Sequence, residues 1–223
     1  MTDRSALARR LTAEFVGTAF LLAGVVGSGI MAERLSTDIG LQLFQNAFAT
    51  AGILVALILA LQPVSGAHFN PAVTVADRLL GGVDTRTGLA YVTVQVLGGA
   101  LGVMLANLMF EVDAVNWSTK ERVGAHLVLA EAIATFGLVM VIYGVVRAGK
   151  PTLAAYTVGG YIAAAYYFTS STSFANPAVT LARTLSDTFA GIKPSAAPAF
   201  IAAQIVGATA AALTMRFLYP TSQ

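Results

Sequence analysis

The sequence predicts an all-α membrane protein of six transmembrane helices and two re-entrant half-helices, arranged as an inverted repeat in one domain over residues 1–223. Three observations predict it. Apolar types make up 57% of the chain and charged types only 11%, against about 25% charged in an ordinary soluble domain. Uncharged stretches long enough to cross a bilayer recur along the chain. Three sequence markers in the first half return in the same order in the second.

Composition also excludes whole classes. The mean hydropathy of +0.74 is far too high for a disordered chain. There is no cysteine, hence no disulfide framework, thiolate metal site or cysteine nucleophile. A net charge of +2 is too small for a nucleic-acid surface, although the pI is near 9.0. No phosphate loop, paired histidines or nucleophile–base pair appears, so neither an enzyme nor a cofactor is expected.

The windows Phe15–Ala32, Ile39–Gln62, Thr87–Phe110 and Pro194–Met215 carry no charge, and Val123–Val146 carries only His126 and Glu131. A span needs roughly 20 such residues. The uncharged run Pro151–Ala182, at 32 residues, is too long for one span. It reads as a span followed by a re-entrant segment, because it holds Pro177 and the polar run Thr169–Ser173. Pro63–Ala76, at 14 residues, is too short to cross. The expected spans are roughly 12–32, 40–61, 88–110, 124–146, 152–169 and 195–218, with half-length segments near 70–80 and 176–187. No cleavable leader is expected, since Met31-Ala32-Glu33-Arg34 is not a small-residue cleavage site.

Six spans put both termini on one side. With the N-terminus inside, the inner segments hold eight of the 13 basic residues, so both termini are expected in the cytoplasm and the protein in the cell (inner) membrane.

The repeats cover about 12–110 and 124–218. Ala13-Glu14 matches Ala130-Glu131, Asn70-Pro71-Ala72-Val73-Thr74 matches Asn176-Pro177-Ala178-Val179-Thr180, and Gln95-Val96-Leu97-Gly98 matches Gln204-Ile205-Val206-Gly207, at offsets of 117, 106 and 109. Three spans per half is an odd number, so the halves insert upside down relative to one another. One Asn-Pro-Ala is an ordinary helix start, with Asn as N-cap and Pro at the first helical position. Two copies, each after a polar stretch and before a segment too short to span, are another matter. Irregular backbone at membrane depth is tolerated only inside protein or beside a water-filled cavity. Two such half-helices would meet end to end at the midplane, repel cations there, and offer the Asn70 and Asn176 amides to a polar solute.

The fragment Ser65-Gly66-Ala67-His68-Phe69-Asn70-Pro71-Ala72-Val73-Thr74 resembles the first motif of the aquaporins, the major intrinsic protein family, and the resemblance covers essentially the whole chain. It implies the aquaporin fold, a right-handed bundle of six tilted helices and two half-helices, in homotetramers with one pore per subunit. It implies a passive channel for small uncharged solutes such as glycerol-like polyols, water and metalloid hydroxides. The family's second motif continues with an arginine that narrows the outer selectivity filter; here that position is Val179. Carrying the other filter positions over by spacing gives Thr50, Ala164 and Ser173, a small and uncharged ring. Arg183, four residues on, either replaces the lost cation, sits in the pore mouth bonded to a carbonyl, or lies on the exterior. The segment Ser173–Arg183 also resembles a bacterial aquaglyceroporin subgroup linked to arsenic-resistance operons, which implies arsenite among the solutes.

Intramembrane carboxylates are functional suspects. Glu14 and Glu131 read as braces that accept backbone N–H groups of the re-entrant loops; the rival reading makes them proton-coupling groups of an ion-coupled secondary transporter. Gln95 and Gln204 read as further loop braces or as interhelical bonds, and His68 as loop packing or a pH gate. Gly98/Gly102 and Gly207/Ala211 mark close helix contacts.

Overall fold

The computed structural model describes residues 2–220. In chain order the helices are α1 (Thr2–Leu35), α2 (Ile39–Ser65), α3 (Pro71–Leu79), α4 (Thr85–Met109), α5 (Ala125–Arg147), α6 (Ala154–Phe168), α7 (Pro177–Ala182) and α8 (Ala197–Leu218). Five of these, α1, α2, α4, α5 and α8, are long and apolar enough to cross a membrane. The remaining span, α6, is shorter. Its 15 residues follow a 3₁₀ turn at Pro151–Leu153, and together they reach about 28 Å, close to the ~30 Å hydrocarbon core. Two boundaries differ from the expected ones. α1 continues well before residue 12, and α2 runs through Pro63 to Ser65 before Gly66 closes it in a left-handed conformation, φ 91°.

Side-chain caps explain where several helices start. Asp38 accepts from the Leu41 N–H ahead of α2, and Asp84 from the Thr87 N–H ahead of α4. Asn70 and Asn176 do the same for the half-helices α3 and α7, each with proline at the first position.

The two halves build the same arrangement. α1 packs on α2 and α4 as α5 packs on α6 and α8, while α2 meets α6 across the middle. The half-helices cross over: α3 packs on α8, and α7 on α4. α1 begins and α8 finishes at one end, here the base, where Arg216 bonds the Leu79 carbonyl. At the opposite end, the crown, residues 111–124 pair with 184–193 through Asn116 N–H to Leu185 O (3.0 Å), Ser118 N–H to Thr184 O (2.9 Å) and Lys193 N–H to Lys120 O (2.8 Å).

α1 and α4 touch backbone to side-chain-free backbone. A Cβ on Gly98 would lie 2.3 Å from the Phe15 carbonyl oxygen, and one on Gly102 2.1 Å from that of Ala19. In the second half Gly207 stands likewise 2.3 Å from the Ala132 oxygen, and Ala211 is fully buried. Lipid offers no hydrophobic drive for helix association, so such close approach carries much of the packing.

The re-entrant loops hang on two carboxylates. Glu14 is fully buried and accepts from Ser65 Oγ (2.6 Å), the His68 N–H (3.0 Å), the Phe69 N–H (2.7 Å) and Gln95 Nε2 (2.8 Å). Glu131, equally buried, accepts from the Phe174 and Ala175 N–H groups (both 2.9 Å) and Gln204 Nε2 (2.6 Å). Each glutamine amide also bonds the threonine of its half-helix, Thr74 at 3.1 Å and Thr180 at 2.8 Å. The glutamine carbonyls have no partners among the described residues, because the amide donors must face the carboxylates. Ala67 and Phe69, and their counterparts Ser173 and Ala175, sit at φ between 47° and 52°. Such backbone costs about 1–3 kcal/mol per residue. Charge-assisted hydrogen bonds, at about 1.5–3 kcal/mol each, are of the size needed to hold it.

Two outcomes follow for stability. Gly102→Val should wedge α1 from α4 and cost at least about 1–3 kcal/mol, read as a lower unfolding midpoint in detergent. Glu14→Gln turns one acceptor oxygen into a donor that faces donors, at about 1–3 kcal/mol per orphaned group. Amide exchange at His68 and Phe69 should accelerate, and unchanged exchange there would remove Glu14 from its bracing role.

Candidate functional site

A cavity of about 250 Å³ runs along the bundle between the two loops. From base to crown its wall passes Asp77 and Tyr143, then His68, then Asn70 and Asn176, then Thr50, Tyr166, Ser173 and Val179, with Phe174 and Arg183 beside them. Most of the remaining wall is aliphatic, from α1, α2, α5 and α6.

At the base, Asp77 accepts the Tyr143 hydroxyl (2.9 Å) on one oxygen and the Val83 N–H (2.7 Å) on the other. His68 lies 3.9 Å from the second oxygen, shares a hydrogen bond with Thr74 Oγ1 through Nδ1 (3.1 Å), and packs edge-on against Tyr91 at 5.4 Å. It is therefore bound into the loop and also reaches the cavity wall.

At the centre the two asparagines interlock. Asn70 Nδ2 donates to the Ala175 carbonyl and Asn176 Nδ2 to the Phe69 carbonyl, both at 2.8 Å. Their Oδ1 atoms cap the half-helices, Asn70 taking the Ala72 N–H and Asn176 the Ala178 and Val179 N–H groups. Each amide nitrogen carries a second N–H, and both residues line the cavity. Pro71 and Ala72, and Pro177 and Ala178, are buried behind them as the first turns of α3 and α7.

Toward the crown, Thr50 Oγ1 and the Tyr166 hydroxyl stand 3.0 Å apart. Ser173 Oγ is buried with no hydrogen-bond partner among the described residues, and Val179 presents methyl groups to the same space. Ala164 does not belong here. It is exposed on the outer face of α6, and the inward positions of that helix are Val158, Ile162 and Tyr166. A two-residue step turns a helix by about 200°, so Ile162 and Tyr166 face inward together while Ala164 faces out. The hydroxyl that α6 contributes is Tyr166.

Arg183 is only 2% exposed. Its Nε donates to the Ala190 carbonyl, and its guanidinium lies 3.4 Å from the centroid of the Phe174 ring, on the cavity wall. Of the places open to it, the exterior is excluded, and the carbonyl-bonded position also borders the lumen. Arg122, from the loop between the halves, approaches the same ring at 4.9 Å and donates to the Gly191 carbonyl at 2.9 Å. No carboxylate lies within ion-pair distance of either arginine among the described residues. Lys120 nearby donates to the Phe189 carbonyl, and burial, with the charge of Arg122 second, pushes its ammonium down to about 8.

Glu14, Glu131, Gln95 and Gln204 do not line the cavity; their polar groups are spent on the loops. Among the described residues no cluster of three His, Asp or Glu side chains could hold a metal ion. Asp77, Tyr166, Phe174 and Arg122 did not stand out in the sequence. The available signal was register: Asp77 and Phe174 lie 106 residues from Arg183 and His68, the spacing of the two asparagines.

The major intrinsic protein family model matches residues 1–154 and again 147–223. An aquaglyceroporin, AqpS of Rhizobium meliloti (strain 1021), is 48% identical over 212 residues, covering 95% of this chain and 91% of its own. A probable aquaporin, AqpM of Archaeoglobus fulgidus, is 32% identical, covering 95% and 97%. The crystal structure of the aquaglyceroporin from Plasmodium falciparum superposes with a TM-score of 0.76 over 96% of this chain and 98% of that one, at 21% identity, a likeness of fold. With both halves matched and relatives covered nearly end to end, the chain belongs to the major intrinsic protein family.

Proposed function

We propose that this chain is a passive channel for small uncharged polar solutes, glycerol-like polyols and water among them, and that solute follows the cavity past Asn70 and Asn176. The observation that carries the reading is the interlocked asparagine pair, which leaves one amide N–H on each side free at the centre of an otherwise apolar path. A solute entering sheds water. It regains hydrogen bonds from these two donors and from the hydroxyls of Ser173, Thr50 and Tyr166. The half-helix ends that converge here favour oxygen and disfavour cations.

Val179, Thr50, Ser173 and Tyr166 make the crown constriction. Val179 offers neither charge nor donor, which leaves room for triols the size of glycerol, and arsenite is of that size and polarity. Glu14 and Glu131 are structural in this reading, since every oxygen is occupied and neither faces the path; this favours a channel over an ion-coupled transporter. The base faces the cytoplasm of the cell membrane, as the excess of Lys and Arg there supports. Exposed apolar side chains such as Phe20, Phe48, Leu101 and Phe217 meet lipid or neighbouring copies in a homotetramer.

Proteoliposomes holding the chain should shrink and recover by stopped-flow light scattering under a glycerol gradient, with no response to an imposed pH gradient. Uphill accumulation driven by protons would overturn the channel reading. Asn176→Ala removes a cap worth about 1 kcal/mol and one of the two central donors, so solute flux should fall in a folded variant. Val179→Arg places a planar donor fork in the constriction. It should slow glycerol and arsenite more than water in the same vesicles; an unchanged ratio would put the constriction elsewhere.

A further inference from the structure

Resting on that reading of the cavity, we infer that Asp77 is the anion barrier of the pore and that Arg183 is its opposite number for cations. The pair sits at equivalent places in the two repeats, with opposite charge at opposite mouths. Asp77 lies seven residues after Asn70, and Arg183 seven after Asn176. Each reaches back along its half-helix to the residue two before its asparagine. Asp77 stands 3.9 Å from His68, and Arg183 stacks at 3.4 Å on Phe174. Even the supporting rings correspond: His68 meets Tyr91 edge-on at 5.4 Å, and Phe174 meets Phe200 edge-on at 5.4 Å.

The base site is built. A Cβ on residue 82 would lie 2.2 Å from an Asp77 oxygen, so Gly82 gives the carboxylate its room. The Tyr143 hydroxyl and the Val83 N–H hold its two oxygens. Asp77 and Arg183 are the formal charges on the cavity wall, to which His68 adds only when protonated. Arg10 lies behind Tyr91, bonded to its hydroxyl; it does not line the cavity and is not within ion-pair distance of Asp77.

The need for such a barrier follows from the rest of the wall. The central asparagine N–H groups and the Arg183 guanidinium all favour negative charge, so they turn back cations and invite anions. Glu14 and Glu131 lie behind the wall with their oxygens taken by loop donors, so an anion in the path meets them only at longer range. Asp77 is the carboxylate on the wall itself. A unit charge a few ångströms from the path changes an ion's passage by ~10-fold or more at an effective dielectric of about 20, while a neutral solute crosses both collars with no net cost.

The test uses three small planar probes of different charge: urea, guanidinium and nitrate. The full chain is reconstituted in proteoliposomes at pH 7.5, with valinomycin and potassium supplying countercharge for nitrate and a protonophore for guanidinium. Wild type should pass urea and hold both ions at background. Asp77→Asn should raise the nitrate-to-urea flux ratio about tenfold or more and leave guanidinium at background, and Asp77→Glu should restore exclusion. Arg183→Gln should raise the guanidinium-to-urea ratio instead, with Arg183→Lys retaining exclusion. Asp77→Ser keeps an acceptor for the Val83 N–H and serves if Asp77→Asn fails to assemble. A Asp77→Asn or Asp77→Ser protein that passes urea and still excludes nitrate overturns the proposal. A wild-type protein that passes neither urea nor glycerol overturns the channel reading instead, so the two failures are told apart.

Discussion

A peptide group at the middle of a bilayer has no water to bond, and in this protein two stretches of chain break helical pairing at that depth. Everything at the cavity depends on how Glu14 and Glu131 resolve the problem. Each carboxylate gathers two successive backbone N–H groups of a loop, and each is held in turn by a glutamine that ties it to the threonine of the half-helix. With the N–H groups drawn outward, the left-handed residues between them are fixed, and the asparagines that follow are set facing each other. The central donors are thus positioned by charges that never touch the path.

What repeats was readable from the sequence. The paired Asn-Pro-Ala segments, the glutamates opening α1 and α5 and the glutamines in α4 and α8 announce themselves because each occurs twice at nearly constant spacing. A repeated residue at membrane depth also carries its own physical reason, an unsatisfied backbone. Features without a twin were harder. α6 has no marker to fix its rotation, and a step of two residues separates the exposed Ala164 from the hydroxyl-bearing Tyr166. Tyr166 declares its place only through Thr50, 116 residues earlier. Asp77 and Arg183 share a register but differ in charge, so they look unrelated until the repeats are laid over one another. The Phe174 ring that gathers Arg183 and Arg122 depends on the loop between the halves folding over the crown, which no local pattern encodes.

The missing filter arginine shows how position and chemistry can separate. Val179 occupies the first turn of α7 where the family resemblance implies a cation, and the guanidinium of Arg183, four residues on, lies over an aromatic ring on the cavity wall. A guanidinium is weakly hydrated and tolerates an aromatic face in place of a carboxylate. The crown therefore keeps a positive charge beside the lumen while the constriction itself is lined by methyl and hydroxyl groups.

The crossing-over of the half-helices bears on how the protein is made. α3 docks on α8, which leaves the ribosome well after it, and α7 docks on α4, from the half already synthesised. The first half-helix is thus complete long before α8 can support it, whereas the second finds α4 waiting and lacks only Gln204 of α8 for its brace. Until the second loop arrives, the Asn70 amide has no Ala175 carbonyl to meet, and the first loop has only Glu14, Gln95 and its own half to hold it. Biogenesis is accordingly asymmetric in a molecule whose finished architecture is nearly symmetric, and a chain truncated before α8 would carry both motifs without the α8 face that α3 packs on and without Gln204.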